Sequence, residues 1–239
     1  VVGPMARSAE DLAMAMRVIA GPDDLAAPGW RLELPKPRMF SLSGLRVALW
    51  PDLPVAPVDD EIRARFATLG ERLSKLGAIV SDRARPEIES SDWQETYMGL
   101  LMPIVGGAEG NVDHQTWMGL NERRGRYRMR WQAFFRDWDI LLCPISATTA
   151  FPHDHRPMDR RTIRVNGEHR PYFEQSFWAG LATLAYLPST AFPTGLTSDG
   201  LPLGLQAIGA EFHDYTTIEF ARLIAEEIGG FQAPPGLGG

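Results

Sequence analysis

A hydroxyl attacks a carbonyl only when a base takes its proton, because serine alone is a weak nucleophile. A lysine can be that base, and the 239-residue chain has only two, Lys36 and Lys75. Lys36 lies between Pro35 and Pro37. Lys75 follows Ser74, but successive side chains on a helix diverge by roughly 100°, so the two do not face each other. Neither lysine has the setting of a buried base held against a nucleophile. The one Ser-Ser pair, Ser90-Ser91, has no flanking glycine. The five histidines, His114, His153, His155, His169 and His213, leave a Ser–His–Asp triad open, although no serine stands in a Gly-x-Ser-x-Gly elbow.

Other groupings have a chemical and a structural reading. His153-Asp154-His155 could place two imidazoles on one side of an extended segment. Pro152 and Pro157 around it read as an exposed loop, and a metal site takes three or four ligands. Arg123, Arg124, Arg126, Arg128 and Arg130 could follow a phosphate backbone, or their stems could cover the apolar side of a helix. The formal net charge of −6 weighs against nucleic acid. Gly106-Gly107-Ala108-Glu109-Gly110 lacks the Gly-Lys-Ser/Thr ending and the preceding strand of a phosphate loop. Cys143 reads as a small core residue.

The single cysteine excludes a disulfide within the chain, so folding needs no oxidising compartment and a cytoplasmic location is expected. No apolar run approaches the roughly 20 residues that span a bilayer, and no signal-peptide pattern is visible. The chain starts at Val1, directly in motif-like sequence, which reads as a truncated or processed start. An apolar fraction of 44% and a charged fraction of 23% are ordinary for a globular protein and exclude disorder, collagen and coiled coil. The length suits one domain or two small ones.

The elements that must position these residues follow from the spacing of apolar side chains. Ser8 caps a helix with Leu12, Ala15, Met16 and Ile19 on one face, stopped by Gly21-Pro22. Pro28 to Pro37 is a connection. Leu45 to Trp50 reads as a strand. Asp59 and Asp60 open a helix whose stripe is Ile62, Phe66, Leu69, Leu73 and Leu76, ended by Gly77. Ala78 to Val80 begin a second strand, so this unit predicts a parallel pair joined by a crossover helix. Glu89 to Trp138 is helical, interrupted at Gly106, Gly107 and Gly110. Its second half carries the aromatic stripe Tyr127, Trp131, Phe134, Phe135 and Trp138. Asp139 to Cys143 is a buried strand closed by Pro144, and a polar loop runs from there to about Pro171. Gln175 to Tyr186 is a short buried helix. Pro188–Phe192 and Leu203–Ile208 are strands. Asp214 caps a last helix that buries Ile218, Ala221, Ile224, Ala225 and Ile228. Helices alternating with short buried strands give an α/β class.

Three blocks, in this order and spacing, resemble the amidase-signature family. The first is Gly3-Pro4-Met5-Ala6-Arg7-Ser8, followed by Glu10-Asp11-Leu12 and Gly21-Pro22-Asp23. The second is Asp139-Ile140-Leu141-Leu142-Cys143-Pro144. The third runs from Leu187-Pro188 through Pro193 and Gly195 to Gly200-Leu201-Pro202-Leu203-Gly204-Leu205-Gln206 and Gly209. The resemblance implies a mixed β-sheet sandwiched between α-helices, with residues 1–239 forming a single C-terminal part of that fold and the N-terminal half absent. It implies carboxamide hydrolysis by a Ser–cis-Ser–Lys triad without metal or organic cofactor, backbone N–H groups stabilising the oxyanion. In the family that triad lies upstream of the first block, so no catalytic residue is assigned here and this chain alone is expected to be inactive.

By position in the family, Pro144 and Ile145 and the helix with Phe177, Trp178, Ala182 and Thr183 would line part of the acyl pocket. Trp178 would stack on a planar or aliphatic acyl group. Thr183 stands where the family commonly has Asn, Tyr186 where it has Gly, and Ser189 where Ala is usual. These departures point to a general amidase rather than the tRNA-dependent amidotransferase subunit. The expected partners are a small amide, the other half of the same fold and further copies in a homo-oligomer, with neither nucleic acid nor membrane. The alternative is a non-catalytic fragment that binds a ligand or completes a partner chain. A sheet cut partway would leave an unpaired edge, so the isolated chain is expected to aggregate or to associate with the other half.

Overall fold

A computed structural model describes residues 3–105 and 111–236. The interruption expected at Gly106, Gly107 and Gly110 lies outside the described residues. The element order is α1 (Ala9–Ile19), β1 (Arg46–Leu49), α2 (Asp60–Lys75), β2 (Ile79–Ser81), α3 (Ser90–Val105), α4 (His114–Asp137), β3 (Ile140–Pro144), β4 (Thr162–Val165), β5 (Glu168–Pro171), α5 (Ser176–Leu184), β6 (Ser189–Leu196), β7 (Pro202–Ile208) and α6 (Asp214–Ile228). No helix among the described residues is long and apolar enough to cross a membrane.

Five strands form one mixed sheet in the order β2-β1-β3-β7-β6. β1 pairs in parallel with β2 and β3, whereas β7 is antiparallel to both β3 and β6. Successive residues of a strand point to opposite faces. Ile140, Leu141, Leu142 and Cys143 are all fully buried, so helices cover both faces of the sheet at β3. The expected α/β sandwich is therefore present.

The crossover unit forms as its spacing predicts. Ile62, Phe66, Leu69 and Leu73 on α2 are buried. Gly77 ends the helix with φ +86°, and its missing side chain leaves room for Ser43. An L side chain at that φ would be strained. The α4 stripe is also buried at Tyr127, Trp131, Phe134 and Phe135. Phe134 and Phe135 each lie within 6 Å of the Trp131 ring.

β3 is held to β1 at its start by a charge-assisted clasp. Asp139 accepts hydrogen bonds from the Arg46 backbone N–H (2.9 Å) and from Nη2 (2.7 Å), and Asp139 N–H donates to the Arg46 carbonyl. Burial pushes the Asp139 carboxyl up, but the hydrogen bonds from Arg46 outweigh it and hold the group below the ordinary carboxylate range.

Three expectations need correction. The segment after Pro144 is not all loop, because β4 and β5 form a hairpin around Asn166-Gly167. Both turn residues have positive φ (50° and 84°), the conformation that favours Asn-Gly in a two-residue hairpin. Asp214 is the first residue of α6 rather than its cap, a position held by His213, whose side chain makes no capping bond to the helix. On α6, Phe220, Leu223 and Thr217 are buried while Ala225 and Ile228 are only half-buried. The helix is rotated to place its ring against Phe192 of β6. On α1, capped by Ser8 as expected, no residue is fully buried and Ile19 is 58% exposed.

The hairpin tip supplies a cap that the sequence did not reveal. Asp59 precedes α2 but makes no side-chain cap of its own. Instead the Asp60 N–H donates to Asn166 Oδ1 (2.8 Å), the Asn166 N–H donates to Asp59 Oδ1 (2.7 Å), and Asn166 Nδ2 donates to the Val58 carbonyl (3.1 Å). Asn166→Ala is expected to lower stability by about 1–2 kcal/mol, combining a lost helix cap with an unfavourable φ. Asn166→Gly, which tolerates that φ, should lose less. Thermal unfolding of the two variants separates the contributions, and equal losses would show that backbone strain plays no part.

Candidate functional site

The six residues expected in the acyl pocket lie at the end of β3 and along α5, and they divide between the core and the surface. The cause is the pattern of α5, where Phe177, Trp178, Leu181, Ala182 and Leu184 are buried and Ala179 and Thr183 are exposed. Gly180 allows the helix to approach α3, since a Cβ there would lie 2.7 Å from the Tyr97 ring.

Trp178 is 0% exposed and Phe177 is 2% exposed. The Trp178 indole N–H donates to the Ala56 carbonyl at 3.1 Å. Its ring meets Trp50 and Phe177 edge-on, with centroids 6.1 and 5.3 Å away. Both residues belong to the hydrophobic core of this chain. Pro144 is buried with them. Ile145 and Thr183 instead reach the surface, Ile145 at 38% exposure. The Thr183 hydroxyl donates back to the Ala179 carbonyl (2.9 Å), which leaves its oxygen able to accept a further bond.

Gln206 ties these pieces together. It is 5% exposed on β7. Nε2 donates to the Pro144 carbonyl (2.7 Å) and to the Trp178 carbonyl (3.0 Å), while Oε1 accepts from the Ser189 hydroxyl (2.6 Å). One side chain thus joins the end of β3, the first turn of α5 and the start of β6. Sequence reasoning gives Gln206 no role beyond its place in the third block. Its signal is a lone amide in an otherwise apolar strand, Leu203 to Ile208. Gly204, two residues earlier, permits the β6–β7 approach, since a Cβ there would lie 2.8 Å from the Phe192 carbonyl oxygen. Beside Gln206, burial pushes the Cys143 thiol well up, against the opposing effect of the amide hydrogen bond. A thiol so placed is a poor nucleophile.

The other candidates do not assemble into a reactive set. Lys36 and Lys75 are exposed, and among the described residues neither pairs with a serine or an acid. The Ser74 hydroxyl donates to the Gly70 carbonyl (2.9 Å) rather than towards Lys75. A groove of about 650 Å³ lined by Leu49, Phe66, Gly70, Ser74, Lys75 and Val80 lies between α2 and the β1–β2 end of the sheet. The His153 and His155 rings stack with centroids 6.1 Å apart. Among the described residues, however, no group of three metal-ligating side chains gathers. Of the arginine run, Arg123 pairs with Asp92 and Glu95, and Arg128 pairs with Glu211. Arg130 covers the Tyr127 ring.

The sequence model of the family described as Amidase matches residues 1–103 and 100–218. A glutamyl-tRNA(Gln) amidotransferase subunit of Brevibacillus brevis is 21% identical over 281 aligned positions, covering 98% of this chain and 56% of that protein. Indoleacetamide hydrolase of Bradyrhizobium diazoefficiens is 24% identical, covering 95% of this chain and 46% of that protein. A solved bacterial aryl acylamidase of the amidase-signature family superposes with a TM-score of 0.74 at 21% identity, over 95% of this chain and 53% of its own. The chain spans about half the length of the curated relatives it matches.

Proposed function

The chain belongs to the amidase (amidase-signature) family, and from that premise we propose that it is the acyl-pocket portion of an enzyme that hydrolyses carboxamides to carboxylate and ammonia or amine. The observation that carries this reading is the cluster around Gln206, where the family's β3-proline element, α5 and the Gly-Leu-Pro-Leu-Gly-Leu-Gln block meet. In this reading Ile145 and Thr183 face the acyl group of a linear amide. Pro144, Phe177 and Trp178 form the rigid wall behind them. A pocket built this way is mostly apolar with one placed hydroxyl, the usual composition of small-molecule sites.

The nucleophile is not among these residues. Amide cleavage needs an activated hydroxyl and donors for the oxyanion, and the exposure of both lysines supports assigning those groups to polypeptide beyond the 239 residues. The same exposure favours the second reading, a non-catalytic fragment that binds a ligand or completes a partner chain.

An assay separates the two. The complete gene product is expected to release ammonia or amine from members of a panel of small linear amides, while the 239-residue chain alone should release none. Folded complete product that turns over no amide or ester would remove the amidase reading. Release by the short chain, abolished by changing one of its own serines, would remove the assignment of the nucleophile to other polypeptide.

A further inference from the structure

The exposed end of α5 carries a feature outside the cluster around Gln206. Tyr186 follows the helix with φ +58°, the left-handed conformation that favours glycine. Its N–H points back to the Thr183 carbonyl (3.4 Å), and the residue stays 51% exposed. Two guanidinium groups from α4 lie over its ring, with the Cζ atoms of Arg124 and Arg128 4.6 and 5.2 Å from the centroid.

These two arginines differ in how they are paired. Arg128 is neutralised by Glu211 through Nε and Nη2. Arg124 makes one side-chain hydrogen bond, to Asn121 Oδ1 on its own helix, and has no carboxylate partner among the described residues. A guanidinium carries five N–H donors in a planar fork, so most of the Arg124 donors stay unengaged. Contact with the aromatic face holds the guanidinium in place without neutralising its charge. The ring that holds it belongs to a residue only three positions beyond Thr183. The left-handed turn itself is an ordinary helix ending, closed by the Leu187 N–H on the Ala182 carbonyl (3.0 Å); what sets it apart is that a tyrosine stands where glycine is usual and lies under two guanidinium groups.

We propose that Arg124, held over the Tyr186 ring, is the anion-binding corner of the pocket and selects amides whose acyl chain ends in a carboxylate. This deepens the amidase reading and rests on it. Planar bidentate pairing suits a carboxylate better than a neutral polar group, and Tyr186 in place of a smaller residue is what makes the corner.

The test uses the complete gene product with two substrates of equal length: succinamate, and butyramide, in which a methyl replaces the carboxylate. The measured quantity is the ratio of their kcat/KM values. Succinamate is expected to be preferred, and Arg124→Gln, which keeps a planar group on the ring, should lower the ratio about 10- to 100-fold, the range for a lost hydrogen-bonded charge pair. Arg124→Lys should restore only part of it, because an ammonium is not a fork. If Arg124 were merely structural, both substrates would suffer alike and the ratio would not move, which would overturn the proposal. Succinate binding, followed by calorimetry, gives a readout independent of turnover. Arg124-dependent binding without turnover of any amide would uphold the corner and sink the amidase reading. Turnover of both amides with a ratio indifferent to Arg124 would do the reverse.

Discussion

Trp178→Ala is expected to destabilise the protein by about 3–5 kcal/mol, the usual cost of truncating a buried tryptophan. The size follows from its position. The side chain is 0% exposed and is in edge-on contact with two aromatic rings. Its removal also leaves the buried Ala56 carbonyl without the indole donor. Trp178→Phe should lose less, because it refills part of the space but not the hydrogen bond. Urea unfolding with constant m-value is the measurement. It also decides what the residue does. A tryptophan that serves only as the surface on which an acyl group stacks would, when truncated, raise KM with little loss of stability. Stability within about 1 kcal/mol of the parent would return Trp178 to that role.

Gln206→Leu is expected to cost about 2–4 kcal/mol and to loosen three elements at once. A leucine has similar bulk but cannot serve the Pro144 and Trp178 carbonyls or receive the Ser189 hydroxyl. Buried polar groups left without a partner each cost about 1–3 kcal/mol. Gln206→Glu makes the sign visible through pH. An ionised carboxylate would face two carbonyl oxygens in a dry site, so its folded-state pKa must rise above the unfolded value. The penalty is then full above the folded pKa and is relieved as pH falls through it, when the acid can donate to one carbonyl. Gln206→Glu should therefore gain stability relative to the parent on acidification. A difference between the two proteins that is flat from about pH 8 to about pH 4 would show that the amide is not aimed at those carbonyls.

How far the sequence could be read depended on which interactions are local. The α2 stripe, the stop at Gly77 and the parallel β1–β2 pair were legible because a period and a turn residue suffice to set them. The aromatic stripe of α4 was legible for the same reason. The β4–β5 hairpin was missed although Asn166-Gly167 is a turn signal, because its strands are four residues long and Glu168–Pro171 has no apolar alternation. Capping of α2 could not be read at all, since the acceptor, Asn166 Oδ1, lies more than a hundred positions away in sequence. At the candidate site the location was legible and the orientation was not. Periodicity placed Phe177, Trp178 and Thr183 on one short helix. Which of them reaches solvent was set by Tyr97, Trp50 and Ala56, brought in from other elements.

The place of β3 in the sheet has a kinetic consequence. Its parallel neighbour β1 and its antiparallel neighbour β7 come from far earlier and far later in the chain. The β1–α2–β2 unit and the β6–β7 hairpin each close through short intervening segments. Bringing β3 between them costs two long loop closures before either pairing yields its stabilisation. During synthesis the first unit is complete before β3 exists, and the strand must then wait for β7 with one edge bare. The middle strand of these five is thus the one whose pairing costs the most loop closure.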